Sequence, residues 1–367
     1  MRNPQPRLSV KISAILIVIF CTALAFEGMA RLVFNYQDEV SETPFLSILT
    51  RGKMVLDPYE MVSPSVGGHW GLRAGYPLSN DSNNQFHINQ DGMRGPEIDK
   101  DHSRLRILSL GDSVTFGLAS VTYPRILEDV LNETGIPVEV INGGVEGYAP
   151  RNLLYEIERY VSLRPNVVTI FIGWNALYSP THWLTEFERF SRLIWFARNV
   201  SRNVYRRLVG EEAYAREMLR RIPEPTNNTA EVIYAREYNP SYLGQIEELV
   251  ENFQKEGTQV FLITLPGLFV SDTDPSEKAL KVGHLPAFTN NPYVLAEITE
   301  RYNQSLRVLA TRQGVGLIDL AAWSNRNLVP REEFFTDSVH LTSEGLRKIG
   351  VVIAEQLKGS IGKKQMP

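Results

Sequence analysis

The run Leu105-Arg106-Ile107-Leu108-Ser109-Leu110, followed at once by Gly111-Asp112-Ser113-Val114-Thr115-Phe116-Gly117, reads as a short buried strand that stops at a serine. Strands covered on both faces are near-continuous apolar runs. More of the kind occur at Val138 to Ile141, Val167 to Ile172, Val260 to Leu265 and Val315 to Leu320. Between them, apolar residues recur at helical spacing over Tyr123 to Leu131, Arg151 to Val161, Tyr242 to Phe253 and Tyr293 to Ala310. A closing helix is expected after Thr342, a suitable N-cap, running through Leu346, Ile349, Val352, Ile353 and Leu357. Strand and helix in alternation predict an α/β fold, about five parallel strands with helices on both faces.

Outward from this core the pattern loosens. Residues 35–103 are rich in Pro, Gly, Asn, Ser and Asp and read as an irregular extension packed on the core domain. Within it, Phe86-His87-Ile88-Asn89 resembles a short strand, and Asn89-Gln90-Asp91-Gly92 a structural turn leading into Met93-Arg94-Gly95. The core domain spans 104–358 and is interrupted by an insertion, 176–239. There Phe187, Phe190, Ile194, Ala197, Val200, Val204 and Leu208 form an apolar stripe among arginines, with Trp183, Trp195 and Phe196 nearby. That pattern fits an amphipathic helix packed on the domain, a lid, or a membrane-surface helix. Asp272 to Asn291 reads as a polar loop after a strand end, and 359–367 as a flexible tail.

The chain has 367 residues, 43% hydrophobic and 22% charged, enough for a sizeable core and far from a disordered composition. A net charge of -4 with interspersed signs gives no basic field for a phosphate backbone, so nucleic acid is not an expected partner. The single cysteine, Cys21, excludes an internal disulfide and a cysteine zinc site. Arg2, Arg7 and Lys11 precede an apolar run from Ile12 to Phe26 that continues as helical pattern to Phe34. Such a charge order keeps the N-terminus in the cytoplasm and sends the downstream chain across the membrane. Residues 1–34 are therefore expected to be a cytoplasmic tail and an uncleaved signal anchor, a transmembrane helix that makes the membrane a partner. The alternative is a signal peptide cut after Ala23-Leu24-Ala25 and a secreted protein. Either way the remaining chain is expected to work outside the cytoplasm.

In a parallel sheet, function gathers at the carboxyl ends of the strands. Ser113 ends the first. A serine hydroxyl needs a base, an orienting acid and donors for developing negative charge. The second strand is followed by Gly147, whose N–H can approach a ligand closely, and the third by Gly173-Trp174-Asn175, whose side-chain amide is a suitable donor. Just before the last helix comes Asp337-Ser338-Val339-His340. A His three residues after an Asp can fold back on the carboxylate, which fixes its tautomer and leaves the other ring nitrogen as a base. His69, His87, His102, His182 and His284 have no such partner in sequence and read as structural. No His/Asp/Glu cluster has metal-ligand spacing, and neither metal nor cofactor is expected.

Gly111-Asp112-Ser113, Gly147, Asn175 and Asp337-x-x-His340, in that order, resemble the four blocks of the SGNH (GDSL-type) hydrolases. The resemblance covers roughly residues 105–357, and Gly92-Met93-Arg94-Gly95 looks like the stretch preceding the catalytic domain in membrane-anchored bacterial members. It implies a flavodoxin-like three-layer α/β/α domain acting on acyl esters, acetyl among them, of small molecules or glycans. It also implies Ser113 as nucleophile, His340 as general base, Asp337 as its orienter, and Ser113, Gly147 and Asn175 as the oxyanion hole. Ala176 stands where the family usually has Asp, a position that bears on how the loop holds Asn175. Two further readings share the residues: an O-acyltransferase modifying an exported glycan, and a carbohydrate-binding or assembly subunit without turnover.

Overall fold

The structure is a computed structural model and describes residues 17–18, 20–29, 59–63, 69–76, 87–117, 121–178, 226–286 and 288–364, with isolated positions between 201 and 210. The chain divides into two compact units, Met1–Trp70 with Thr181–Tyr214, and Gly71–Pro180 with Ala215–Pro367. All the residues singled out for chemistry lie in the second.

Strands β1 (Tyr59–Ser63) and β2 (His69–Leu72) form a two-stranded sheet within the stretch expected to be irregular. The main sheet holds β3 (Leu105–Gly111), β4 (Val138–Gly144), β5 (Val167–Phe171), β6 (Gln259–Ile263) and β7 (Gly316–Ile318). Its order is β4-β3-β5-β6-β7 and every pairing is parallel. Counted along the sheet's own strands this is 2-1-3-4-5, the flavodoxin-like winding, with its switch point between β3 and β5. Ile107, Leu108 and Leu110 of the central strand are fully buried, as a strand covered on both faces must be.

The helices are α1 (Ser113–Phe116), α2 (Tyr123–Glu133), α3 (Pro150–Tyr155), α4 (Ile157–Ser162), α5 (Trp174–Tyr178), α6 (Ala230–Ala235), α7 (Leu243–Lys255), α8 (Glu277–Val282), α9 (Pro292–Gln313), α10 (Leu320–Asn327) and α11 (Ser343–Lys364). α2 packs with α11, while α7 packs with α3, α4 and α9. Right-handed crossovers from the reversed strand order place these two groups on opposite faces of the sheet.

The five strands and the long helices fall where the apolar pattern puts them, and three local readings differ. The helix expected over Arg151 to Val161 is divided at Glu156, whose backbone leaves helical geometry (φ −97°, ψ 6°). The polar loop Asp272 to Asn291 contains α8, nucleated where the Ser276 hydroxyl accepts from the Ala279 N–H. The closing helix runs past Lys358, where a flexible tail is expected, to Lys364, because Ile361 (2% exposed) still has core to cover.

Most of the insertion 176–239, with His182 and all of its apolar stripe but Val204 and Leu208, lies outside the described residues; α6, near its end, packs on α9. The apolar run from Ile12 lies partly outside them, helical over 20–29. Among the described residues no helix is long and apolar enough to cross a membrane.

Candidate functional site

Three neighbouring strands end level with one another. Gly111 of β3 is in register with Gly144 of β4 on one side and Phe171 of β5 on the other. The segments carrying Ser113, Gly147 and Asn175 therefore leave the same edge of the sheet, beside its switch point. Gly111 has to be glycine: a Cβ there would stand 2.0 Å from Thr115 Oγ1 and 2.4 Å from the Phe171 carbonyl oxygen. That close approach lets the chain turn directly from β3 into α1, with Asp112 as N-cap accepting from the Val114 N–H at 3.1 Å. Gly147 sits at φ +79°, a backbone region that disfavours side chains, and is exposed at the tip of its loop.

The fourth segment arrives from the far end of the chain. After α10 and a 3₁₀ turn at Arg331–Glu333, residues 335–341 form a tight loop closed by the Phe335–Leu341 bridge. The Ser338 carbonyl accepts from the Leu268 N–H at 3.0 Å, which ties this loop to the segment leaving β6. Asp337 turns back on its own loop, Oδ1 accepting from the Val339 and His340 amides at 2.8 and 2.7 Å. Its Oδ2 lies 2.7 Å from His340 Nδ1, and His340 Nε2 lies 2.8 Å from Ser113 Oγ. Residues 227 positions apart are thus joined in one line: hydroxyl, imidazole, carboxylate.

The electrostatics follow from this geometry. Burial alone would push the Asp337 carboxyl up, yet the hydrogen bond and charge of His340 and the loop amides hold it below the usual carboxylate range. Burial likewise works against a charged His340, but Asp337, then Asp112 and Glu146, outweigh it and raise the imidazole above its ordinary value. The ring is about 29% exposed, open enough for a substrate to reach Nε2. Asp112 is fully buried, its carboxyl pushed up to about 6 by burial against the Val114 amide and the charge of His340, and its Oδ2 has no partner among the described residues.

Asn175 is oriented by a bond from Nδ2 to the Tyr148 carbonyl at 3.0 Å, next to Gly147. This contact links the second and third blocks and holds the amide despite Ala176, leaving the second Nδ2 hydrogen for a ligand. The structure thus joins Ser113, His340 and Asp337 directly, and Asn175 to the Gly147 loop.

Some residues at the site are not apparent from sequence. His284 Nδ1 lies 3.9 Å from Asp337 Oδ1, its backbone N–H donates to Ser338 Oγ at 2.8 Å, and its carbonyl accepts from Ser338 Oγ and from Tyr178. Burial lowers its pKa, the charge of Asp337 opposing and that of His340 adding to it, and its backbone bonds to Ser338 buttress the loop of Asp337. Arg94 reaches the far side of the turn that carries Ser113, and the Gly92-Met93-Arg94 motif is its only trace in the sequence. His87 and His102 sit beside Glu97 and Arg106, consistent with a structural reading. Among the described residues no group of His, Cys, Asp and Glu could hold a metal ion.

The model of the GDSL-like Lipase/Acylhydrolase family matches residues 109–348. No curated protein matches the chain. Among solved structures it is similar to an acetyl xylan esterase, AlAXEase, at 18% identity over 70% of this chain and 99% of that chain, with a TM-score of 0.41. It is also similar to a lipase/acylhydrolase from Enterococcus faecalis at 17% identity over 70% and 96%, TM-score 0.40. A third is Axe2, an acetylxylan esterase from Geobacillus stearothermophilus, at 16% identity over 70% and 94%, TM-score 0.42.

Proposed function

Since the chain belongs to the GDSL-like lipase/acylhydrolase family and is thereby an ester-hydrolysing enzyme, we propose that Ser113, His340 and Asp337 are its catalytic triad and that it works outside the cytoplasm. One observation carries the triad: the line from Ser113 Oγ through the two nitrogens of His340 to Asp337, at 2.8 and 2.7 Å. In it, His340 Nε2 takes the hydroxyl proton as Ser113 Oγ attacks the acyl carbonyl carbon. Asp337 keeps the proton on Nδ1 and stabilises the imidazolium that forms. The tetrahedral oxyanion meets the N–H groups of Ser113 and Gly147 and the Asn175 amide, each such donor being worth about a hundredfold to a thousandfold in rate. Collapse expels the alcohol, which takes its proton from Nε2. Water, deprotonated by the same nitrogen, then cleaves the acyl-serine and releases the acid.

The substrate proposed is an acyl ester of a small molecule or a glycan. The location rests on the Arg2, Arg7 and Lys11 cluster ahead of the apolar run from Ile12. The test is hydrolysis of a chain-length series of p-nitrophenyl esters by the full chain, with labelling by a fluorophosphonate. Turnover and labelling at Ser113 are expected, with both lost in Ser113→Ala. Hydrolysis that survives in that variant would sink the assignment. Finding the acyl group on an added glycan in place of free acid would mark a transferase.

A further inference from the structure

Arg94 lies ahead of residue 109, where the family match begins, yet it touches the turn that carries Ser113. Arg94 is 7% exposed. The hairpin at 87–95 delivers it: the Asn89 side chain caps the turn by accepting from the Asp91 and Met93 amides, and the Arg94 N–H donates to the Asn142 carbonyl of β4 at 3.2 Å. From there Nη1 donates to the Phe116 carbonyl at 2.8 Å and to the Gly117 carbonyl at 2.9 Å, while the guanidinium lies 4.6 Å from the centre of the Phe116 ring. Asn142 Nδ2 supports the same Phe116 carbonyl at 3.3 Å.

These bonds bear on the chemistry through two backbone links. The Phe116 N–H donates to the Asp112 carbonyl at 2.9 Å, and the Gly117 N–H to the Ser113 carbonyl at 2.9 Å. The first fixes the plane of the peptide whose N–H belongs to Ser113, and the second holds the serine's own carbonyl. α1 has only four residues, too few to keep its shape by its own hydrogen bonds. We propose that Arg94 is a positioning residue for the esterase reaction: by holding the Phe116 and Gly117 carbonyls it aims the Ser113 N–H at the oxyanion and sets Oγ against His340. The inference rests on the triad reading above. Arginine suits the task because one rigid planar cation both bonds the carbonyls and stacks on the ring, which a lysine ammonium cannot reproduce.

The test compares the full chain with Arg94→Lys and Arg94→Ala by melting temperature, by kcat and KM on a short-chain ester, and by amide hydrogen exchange. Misplacing the reacting groups by about 1 Å costs about a hundredfold, so kcat is expected to fall by about that factor in folded Arg94→Ala with little change in KM. Guanidinium ion at sub-denaturing concentration is expected to restore part of it. Exchange at the Phe116 and Gly117 amides should speed up while the sheet stays protected. Wild-type kcat in the folded variant would overturn the proposal, as would a loss that guanidinium leaves untouched and that follows a lowered melting temperature. An inert wild type would overturn the triad reading and the catalytic half of the inference with it; exchange at Phe116 and Gly117 would still decide whether Arg94 holds the turn.

Discussion

The imidazole of His340 is pulled two ways, and on the proposed triad the balance sets the pH at which the enzyme works. Burial disfavours its charged form, but the Asp337 hydrogen bond and charge, with smaller help from Asp112 and Glu146, outweigh this and raise its pKa above 6.5. A general base acts as the neutral ring, so kcat/KM should climb with pH through a midpoint above that ordinary value. Replacing Asp337 by Asn removes the largest raising influences, and the midpoint should move to lower pH. The asparagine also favours the wrong tautomer, which in triads of this kind costs about 10⁴-fold in kcat. A pH–rate profile of the two proteins checks both, and an unmoved acid limb would remove Asp337 from its role. Burial lowers the pKa of His284, which disfavours a competing cation beside the carboxylate. At this scale the sequence is informative where partners are side chains near in the chain, as in Asp337-x-x-His340. It marks Arg94 only as part of a motif and is silent on its partners, the carbonyls of Phe116 and Gly117, because every residue type offers a carbonyl.

Strands are the most legible elements, for β3, β4 and β5 are buried on both faces and are therefore built largely of Val, Ile and Leu, with polar side chains such as Glu139 and Asn142 buried among them. Helix ends are less so. The six residues of α8 are too few to show a period, and its start is marked only by the Ser276 cap. The end of α11 is obscured by Lys363 and Lys364, which mimic a solvated tail, although Ile361 between Ser360 and Gly362 is 2% exposed. If that last turn belongs to the core, Ile361→Ala should destabilise the protein by about 2 to 4 kcal/mol. For a unit of this size that corresponds to a loss of roughly 2 to 4 °C in Tm per kcal/mol, measurable by calorimetry, with kcat unchanged because the residue lies in the last helix, far along the chain from the loop of His340. A Tm equal to wild type would show the turn to be frayed in solution.

The whole molecule couples a family domain at 109–348 to segments the family model does not include, among them the hairpin of Arg94 and the apolar N-terminus. On the proposed location, the full chain should stay with membranes through an alkaline carbonate wash, and its hydrolase domain should be accessible to protease added outside the cytoplasm. Recovery in the soluble fraction with residues 1–25 missing would identify a cleaved signal peptide instead. The span of 227 positions between Ser113 and His340 also separates the two in time. A ribosome adding about 5 to 20 residues per second makes Ser113 roughly 10 to 45 s before the histidine proposed as its base. The nucleophile thus emerges unarmed, and an enzyme exported while it is being made would gain its reactivity only when nearly all of it has left the compartment of synthesis. On the proposed triad and location, the order of the chain would itself act as a delay between synthesis and reactivity.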